Sequence, residues 1–346
     1  MQVPEMSTIW LWIGFLLFVF VLLALDLGVF HREAHVVRPR EALIWTGIWV
    51  LLGLSFSGVV YLLYDGHILG IGLDVGQELT GSLAMVQYLT GYVVEKSLSV
   101  DNIFVIAMIF SHFNVPAKLQ HRVLFWGIIG ALVLRGAMIL AGAALIRKFV
   151  WMNYVFGTIL IWTAVKMLIL RNEETEPEEN FLVLMARRFF SVSKDYEGEK
   201  FFTMVDGRRA LTPLFLVLVV VEGTDVLFAL DSIPAIFGVT QDPFLVFTSN
   251  IFAILGLRCL YFALAHVLGL FRYLKMSLVF VLAFVGVKMI IAHHYPIPAW
   301  VSLAFILGIL AVGVAASLMA SRRDPVPLAS PPIDPGRSGN EDEPVD

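Results

Sequence analysis

Apolar residues in this chain do not alternate with polar ones at the period of a strand. They come in runs long enough to cross a bilayer, which takes about 20 residues as a helix, separated by shorter polar connections. Nine runs predict helices over 9–30, 43–64, 82–110, 123–146, 150–170, 212–237, 246–268, 275–292 and 298–319. The expected fold class is therefore an all-α integral membrane protein. Two segments break the pattern. The connection 171–211 opens with the acidic run Glu173-Glu174-Thr175-Glu176-Pro177-Glu178-Glu179 and holds an amphipathic stretch, Phe181 to Phe190, suited to lying on a membrane surface. Residues 324–346 are rich in Pro, Gly, Ser and acids, the composition of a disordered tail. The transmembrane domain is thus expected over 1–323.

Charge placement orients the helices. The connections after the first, third, fifth and seventh runs, and the tail, carry many Lys and Arg residues, from Arg32 to Arg337. The opposite connections carry only Arg147 and Lys148. Under the positive-inside rule the N-terminus lies outside and the C-terminus in the cytoplasm. Residues 1–8 lack a cationic segment ahead of the first apolar run, so a cleavable signal is not expected. Composition agrees with this class: 59% of residues are apolar and 15% charged. The single cysteine, Cys259, excludes an intramolecular disulfide and thiolate metal clusters. Nothing resembles a basic nucleic-acid surface.

Several membrane-depth residues recur in step. Asp101 returns as Asp225, Arg135 as Arg258 and Lys166 as Lys288, at offsets of 124, 123 and 122 residues. This pattern points to a duplicated three-helix unit, over about 82–170 and 212–292. An odd number of spans per unit makes the second copy run in the opposite sense, the inverted repeat common in alternating-access carriers.

Ionisable groups at membrane depth are functional candidates by default. The acids are Asp26, Glu95, Asp101, Glu222, Asp225 and Asp231, and the bases Lys96, Arg135, Lys166, Arg258 and Lys288. The near-balance of signs leaves a blander reading open, in which acids and bases are mutual structural partners. Glu222 and Asp225, three apart, share a helix face, whereas Glu95 and Asp101, six apart, do not. Gly91, Gly223 and Pro234 favour helix interruptions beside both acidic groups, which would expose carbonyls to a cavity. Close helix packing explains the glycines equally well. With Asn102, Ser99, Thr224 and Ser232, the ligand types are all oxygen, suiting Mn²⁺, Ca²⁺ or Mg²⁺ rather than Cu(I) or a typical Zn²⁺ site. Clustered carboxylates are relieved by either a divalent cation or protons, the physical basis for metal/proton exchange. The loop histidines His31, His35, His112, His121, His293 and His294 are weaker candidates, for gating or pH sensing.

The stretch from Glu95 to Val105, Glu95-Lys96-Ser97-Leu98-Ser99-Val100-Asp101-Asn102-Ile103-Phe104-Val105, resembles the TerC family of integral membrane proteins. Leu25 to His31, Val221 to Ile236 and Phe252 to Arg258 resemble the same family. The short central connection is similar to its Alx-like branch. The resemblance implies a divalent-metal exporter, chiefly for Mn²⁺, in a bacterial inner membrane. It carries the family's acidic positions onto Asp26, Glu95, Asp101, Glu222, Asp225 and Asp231. The tellurium-resistance association belongs to some operons of the family, and no reactive-cysteine or redox-cofactor motif here offers chemistry on an oxyanion.

The leading expectation is therefore a non-enzymatic carrier without a permanently bound cofactor. Asp101 and Asp225 form its pseudo-symmetric centre, with Glu95, Glu222 and Asp231 as further ligands or proton path. Asp26 is a gate or recruiting ligand, and Asn102, Ser99, Thr224 and Ser232 are auxiliary ligands. Arg135, Arg258, Lys166 and Lys288 balance the empty site. One rival is a non-transporting membrane partner that aids metal loading or insertion of secreted proteins. Another is an intramembrane hydrolase with an Asp101/Asp225 dyad, which the many neighbouring cations disfavour.

Overall fold

The computed structural model describes residues 4–28, 39–73, 79–149, 151–169, 193, 196–205, 208–264, 273–292 and 294–323. Its helices are α1 (Pro4–Gly28), α2 (Pro39–Asp65), α3 (Gly81–His112), α4 (Ala117–Lys148) and α5 (Met152–Ile169). After a small hairpin come α6 (Pro213–Phe237), α7 (Pro243–Ile254), α8 (Leu257–Leu264), α9 (Leu274–Ile291) and α10 (Ala299–Arg323). Among the described residues seven segments are long and apolar enough to cross a membrane, α7 and α8 counting as one from Pro243 to Leu264. α1 adds a shorter apolar helix over Ile9–Leu25. α3 has ample length at 32 residues, and it carries Glu95, Lys96, Ser97, Ser99, Asp101 and Asn102 within its span. The nine expected runs all reappear as helix.

The seventh run differs in one respect: it is broken. Leu255 and Gly256 leave helical geometry between α7 and α8, and Gly256 takes φ +81°. That left-handed conformation is open to glycine and costly for other residues. A side chain at this position would also collide with Trp49 of α2, 2.6 Å from its Cβ. The interruptions expected at Gly91, Gly223 and Pro234 do not occur, since α3 and α6 run unbroken through them. Gly91 serves close packing instead, facing Ser249 of α7, whose Oγ lies 2.9 Å from where a Cβ would sit. Pro234 falls in the last turn of α6, where few carbonyls remain to be disrupted.

α7–α8 is the axial element: 94% of its span is buried within the protein, against 17% for α5 and α10. α3 lies along α7 and also packs on α2, α6 and α10. α4 lies along α6, and α5 along α9. The α5–α9 crossing is close because Gly157 and Gly286 face each other, each Cβ position falling 2.9 Å from the other's carbonyl. Local signals hold the helix starts. Thr80 caps α3 through the Leu83 N–H, and Asp242 caps α7 through the Phe244 and Leu245 N–H groups, with Pro243 at the first helical position.

One element was not expected. Strands β1 (Phe202–Val205) and β2 (Arg208–Leu211) pair antiparallel, from Phe202 opposite Leu211 to Val205 opposite Arg208. The hairpin region is tied to the α3–α4 end of the bundle by the Tyr196 hydroxyl, which donates to the Phe113 carbonyl (2.8 Å), and by an Arg122–Glu199 ion pair (2.7 Å). The amphipathic stretch 181–190 and the tail 324–346 lie outside the described residues.

Candidate functional site

The middle of the bundle is polar, and one arginine organises it. Arg135 projects from α4 with its side chain 1% exposed. It grips Asp225 of α6 with two parallel bonds, Nε to Oδ2 at 3.0 Å and Nη2 to Oδ1 at 2.8 Å. This is the bidentate geometry in which guanidinium–carboxylate pairs are strongest. Nη1 turns the other way and donates to Oε1 of Glu95 on α3, a fully buried carboxylate. Longer contacts run from Nη1 to Ser232 Oγ (3.4 Å) and to Asn250 Oδ1 on α7 (3.5 Å). A single guanidinium thus joins α3, α4, α6 and α7, and two carboxylates share it.

Beside this knot lies a cavity of about 30 Å³, room for roughly one water-sized particle. Its polar lining comes from Asn102, Thr224, Asp225 and Arg258, and its apolar lining includes Ile128 and Phe228. Asp225 therefore faces both the arginine and the cavity. Several buried oxygens nearby in sequence have no hydrogen-bond partner: Glu95 Oε2, Ser99 Oγ one turn along α3, and Glu222 Oε2 one turn before Asp225 on α6. Asn250 Nδ2 is in the same condition. Such orphans are uncommon in packed interiors and call for a reason.

The remaining candidates are placed as follows. Glu222 packs its carboxylate over Gly130 of α4, where the missing side chain makes room for it. Asp231 accepts a bond from Thr163 of α5 (2.7 Å), and the field of Lys166 reaches it. Asp101 does not line the cavity; it is half-buried, and the cation whose field reaches it is Lys275 at the start of α9. Ser232 touches the arginine, and Thr224 lines the cavity while bonding the Val220 carbonyl. Arg258 contacts His121 Nε2 at 2.8 Å, and Lys288 is buried on α9. Asp26 lies in α1, but its side chain is outside the described residues. The five described acids, Glu95, Asp101, Glu222, Asp225 and Asp231, do not gather at one point. Among the described residues no group of three or more His, Cys, Asp or Glu side chains is arranged to hold a metal ion.

Periodicity passed over Asn250, Thr163 and Gly130, because none is charged and each gains its role from a facing helix. At the end of α6 another polar group is legible only in the structure. Asp242, 4% exposed, accepts from Phe244 and Leu245. Burial holds its carboxyl above the usual carboxylate range, against the opposing pull of those N–H groups and Arg147.

A model of the integral membrane protein TerC family matches residues 80–325, which takes in every element of this site except α1 and α2. The chain belongs to the TerC family. A membrane protein of Myxococcus xanthus, STKORF319, is 50% identical over 95% of this chain and 98% of its own length. A protein of Escherichia coli K12 described as "Putative membrane-bound redox modulator Alx" is 45% identical over 87% of this chain and 91% of its own. A Rickettsia bellii membrane protein is 40% identical over 89% of this chain and 97% of its own. The Alx relatives agree with the Alx-like branch. No solved structure matches the chain. Family, helices and relatives together make it a multi-pass membrane protein.

Proposed function

We propose that this TerC family member is a divalent-cation transporter, moving Mn²⁺ out of the cytoplasm in exchange for protons by alternating access. The observation that carries the reading is the sharing of one guanidinium by a buried carboxylate, Glu95, and a part-buried one, Asp225, beside a cavity. With both acids ionised, the Arg135 knot holds one negative charge more than positive. An excess charge in a low-dielectric interior is costly, and a metal cation or a proton removes it. The orphaned oxygens of Glu95, Ser99 and Glu222 are hard donors of the kind Mn²⁺ accepts. Asp225 and Glu95 are the central ligands in this reading, and Asn102 and Thr224 line the approach. Asp101 serves the second half of the path rather than the same coordination shell.

Arg135 then acts as a tethered cation. It offsets one of the two charges of Asp225 and Glu95 when no metal is bound, a proton covering the other, and yields one or both carboxylates when metal arrives. The inverted repeat belongs to the same proposal. Its support is the pairing of α4 along α6 with α7 along α3 and the mutual packing of α5 and α9, the contacts expected if the two units exchange places. The inner-membrane location, with N-terminus outside and C-terminus inside, rests on the Lys and Arg asymmetry. The relatives' description as redox modulators supplies no separate mechanism here, since Cys259 is the chain's single cysteine.

The test is internal Mn²⁺ in cells that lack their own exporters and express this chain. Wild type is expected to lower it, and Asp225→Asn and Asp101→Asn to leave it high at equal membrane abundance. Wild-type lowering by both variants would sink the site assignment.

A further inference from the structure

The break between α7 and α8 leaves one carbonyl, that of Ala253, to take its partner from a neighbouring helix. Leu255 N–H still bonds the Ile251 carbonyl, and the Gly256 carbonyl opens α8 by accepting from Leu260 N–H. The Ala253 carbonyl, in the last turn of α7, instead accepts from Nζ of Lys96 at 3.1 Å. The C-terminal end of a helix carries partial negative charge from its unpaired carbonyls, and in discontinuous membrane helices such ends are places where a coupling cation is coordinated. Here the positive charge arrives on a side chain. Lys96 is half-buried on α3, next to Glu95, while Ile254, Leu257 and Arg258 across the break line the central cavity. At the gap Gly256 takes φ +81° with Trp49 packed so close that a Cβ there would collide with it.

We propose that the α7–α8 break is a monovalent-cation site occupied from within the chain by the Lys96 ammonium. The ligand class is a small alkali cation, held by main-chain carbonyls at the end of α7, and Lys96 replaces it permanently. The consequence is a bundle whose centre needs no bound alkali ion. Shortening Lys96 uncovers the site and restores that need. The proposal does not depend on what the protein transports.

The experiment is thermal unfolding of the purified full chain in detergent, in NaCl, KCl or choline chloride at equal ionic strength. Wild type is expected to melt at the same temperature in all three. Lys96→Ala is expected to melt lower in choline and to recover several degrees, saturably, in Na⁺ or K⁺. Lys96→Gln, which keeps a donor but no charge, is expected to fall below wild type in choline, whereas Lys96→Arg stays near it. A folded Lys96→Ala with the same melting temperature in all three salts would overturn the proposal. So would a Lys96→Gln as stable as wild type in choline, because a neutral hydrogen bond would then suffice. If Lys96→Ala fails to fold in any salt, the Gln and Arg variants decide by the same criterion.

Discussion

At the scale of single residues, the centre of the protein is a contest for two carboxylates. Removing one member of a buried ion pair leaves the other charge stranded, at about 3–5 kcal/mol. Arg135→Met is therefore expected to lose most of its folded yield, whereas Arg135→Met combined with Asp225→Asn recovers part of it. Fluorescence size-exclusion profiles of the three proteins check this, and a double variant no better than the single one would contradict the pairing. Asp242 gives a prediction in pH. Its carboxyl is raised by burial, so the folded protein holds a proton that the unfolded chain releases. That contribution is present below the unfolded carboxylate range and is lost as pH rises through the folded value. Asp242→Asn keeps the cap on α7 and is expected to flatten the decline in melting temperature over that window. An unchanged slope would show that Asp242 does not titrate there. Charged residues at membrane depth were legible from the sequence, because nothing but function or pairing keeps them in lipid. Which acid meets which base was not, since Arg135 and its two partners are distant in sequence and joined only by helix packing.

At the scale of elements, the hydropathy runs anticipated each membrane-length helix among the described residues, and the site lies where α3 and α6 carry acids within their apolar spans. The discontinuity was anticipated in α3 and α6 and falls in the α7–α8 span instead. Glycine in an apolar run is ambiguous: Gly91 gives up its side chain to a neighbour, whereas Gly256 uses a backbone conformation closed to other residues. Gly256→Ala is accordingly expected to destabilise the protein by roughly 1–2 kcal/mol from backbone strain alone, and further through Trp49. Gly14→Ala and Gly308→Ala, where a Cβ meets nothing within 4 Å, are expected to change little. Denaturant titration of the three variants separates these cases, and a neutral Gly256→Ala would mean that the break can relax. The hairpin shows another limit of periodicity. Strands of four residues are too short to register against membrane-length runs.

At the scale of the whole molecule, the proposed transport cycle links these parts. α7–α8 is the axial helix, α3 and α6 carry the acids on either side of it, and α4 delivers the arginine between them. Rocking one three-helix unit against the other would move Asp225 relative to Arg135 and Glu95, which share the first unit, without unfolding a helix. The orphaned oxygens and the small cavity are the features such a cycle would use. The most direct test is Mn²⁺ flux into proteoliposomes that contain only this protein, with a pH gradient imposed in each direction. The account predicts flux that reverses with the proton gradient and falls by at least about 100-fold in Asp225→Asn, beyond the loss typical of a merely supporting residue. Folded wild-type protein that moves no Mn²⁺ under either gradient, or an Asp225→Asn variant that moves it as well as wild type, would contradict it.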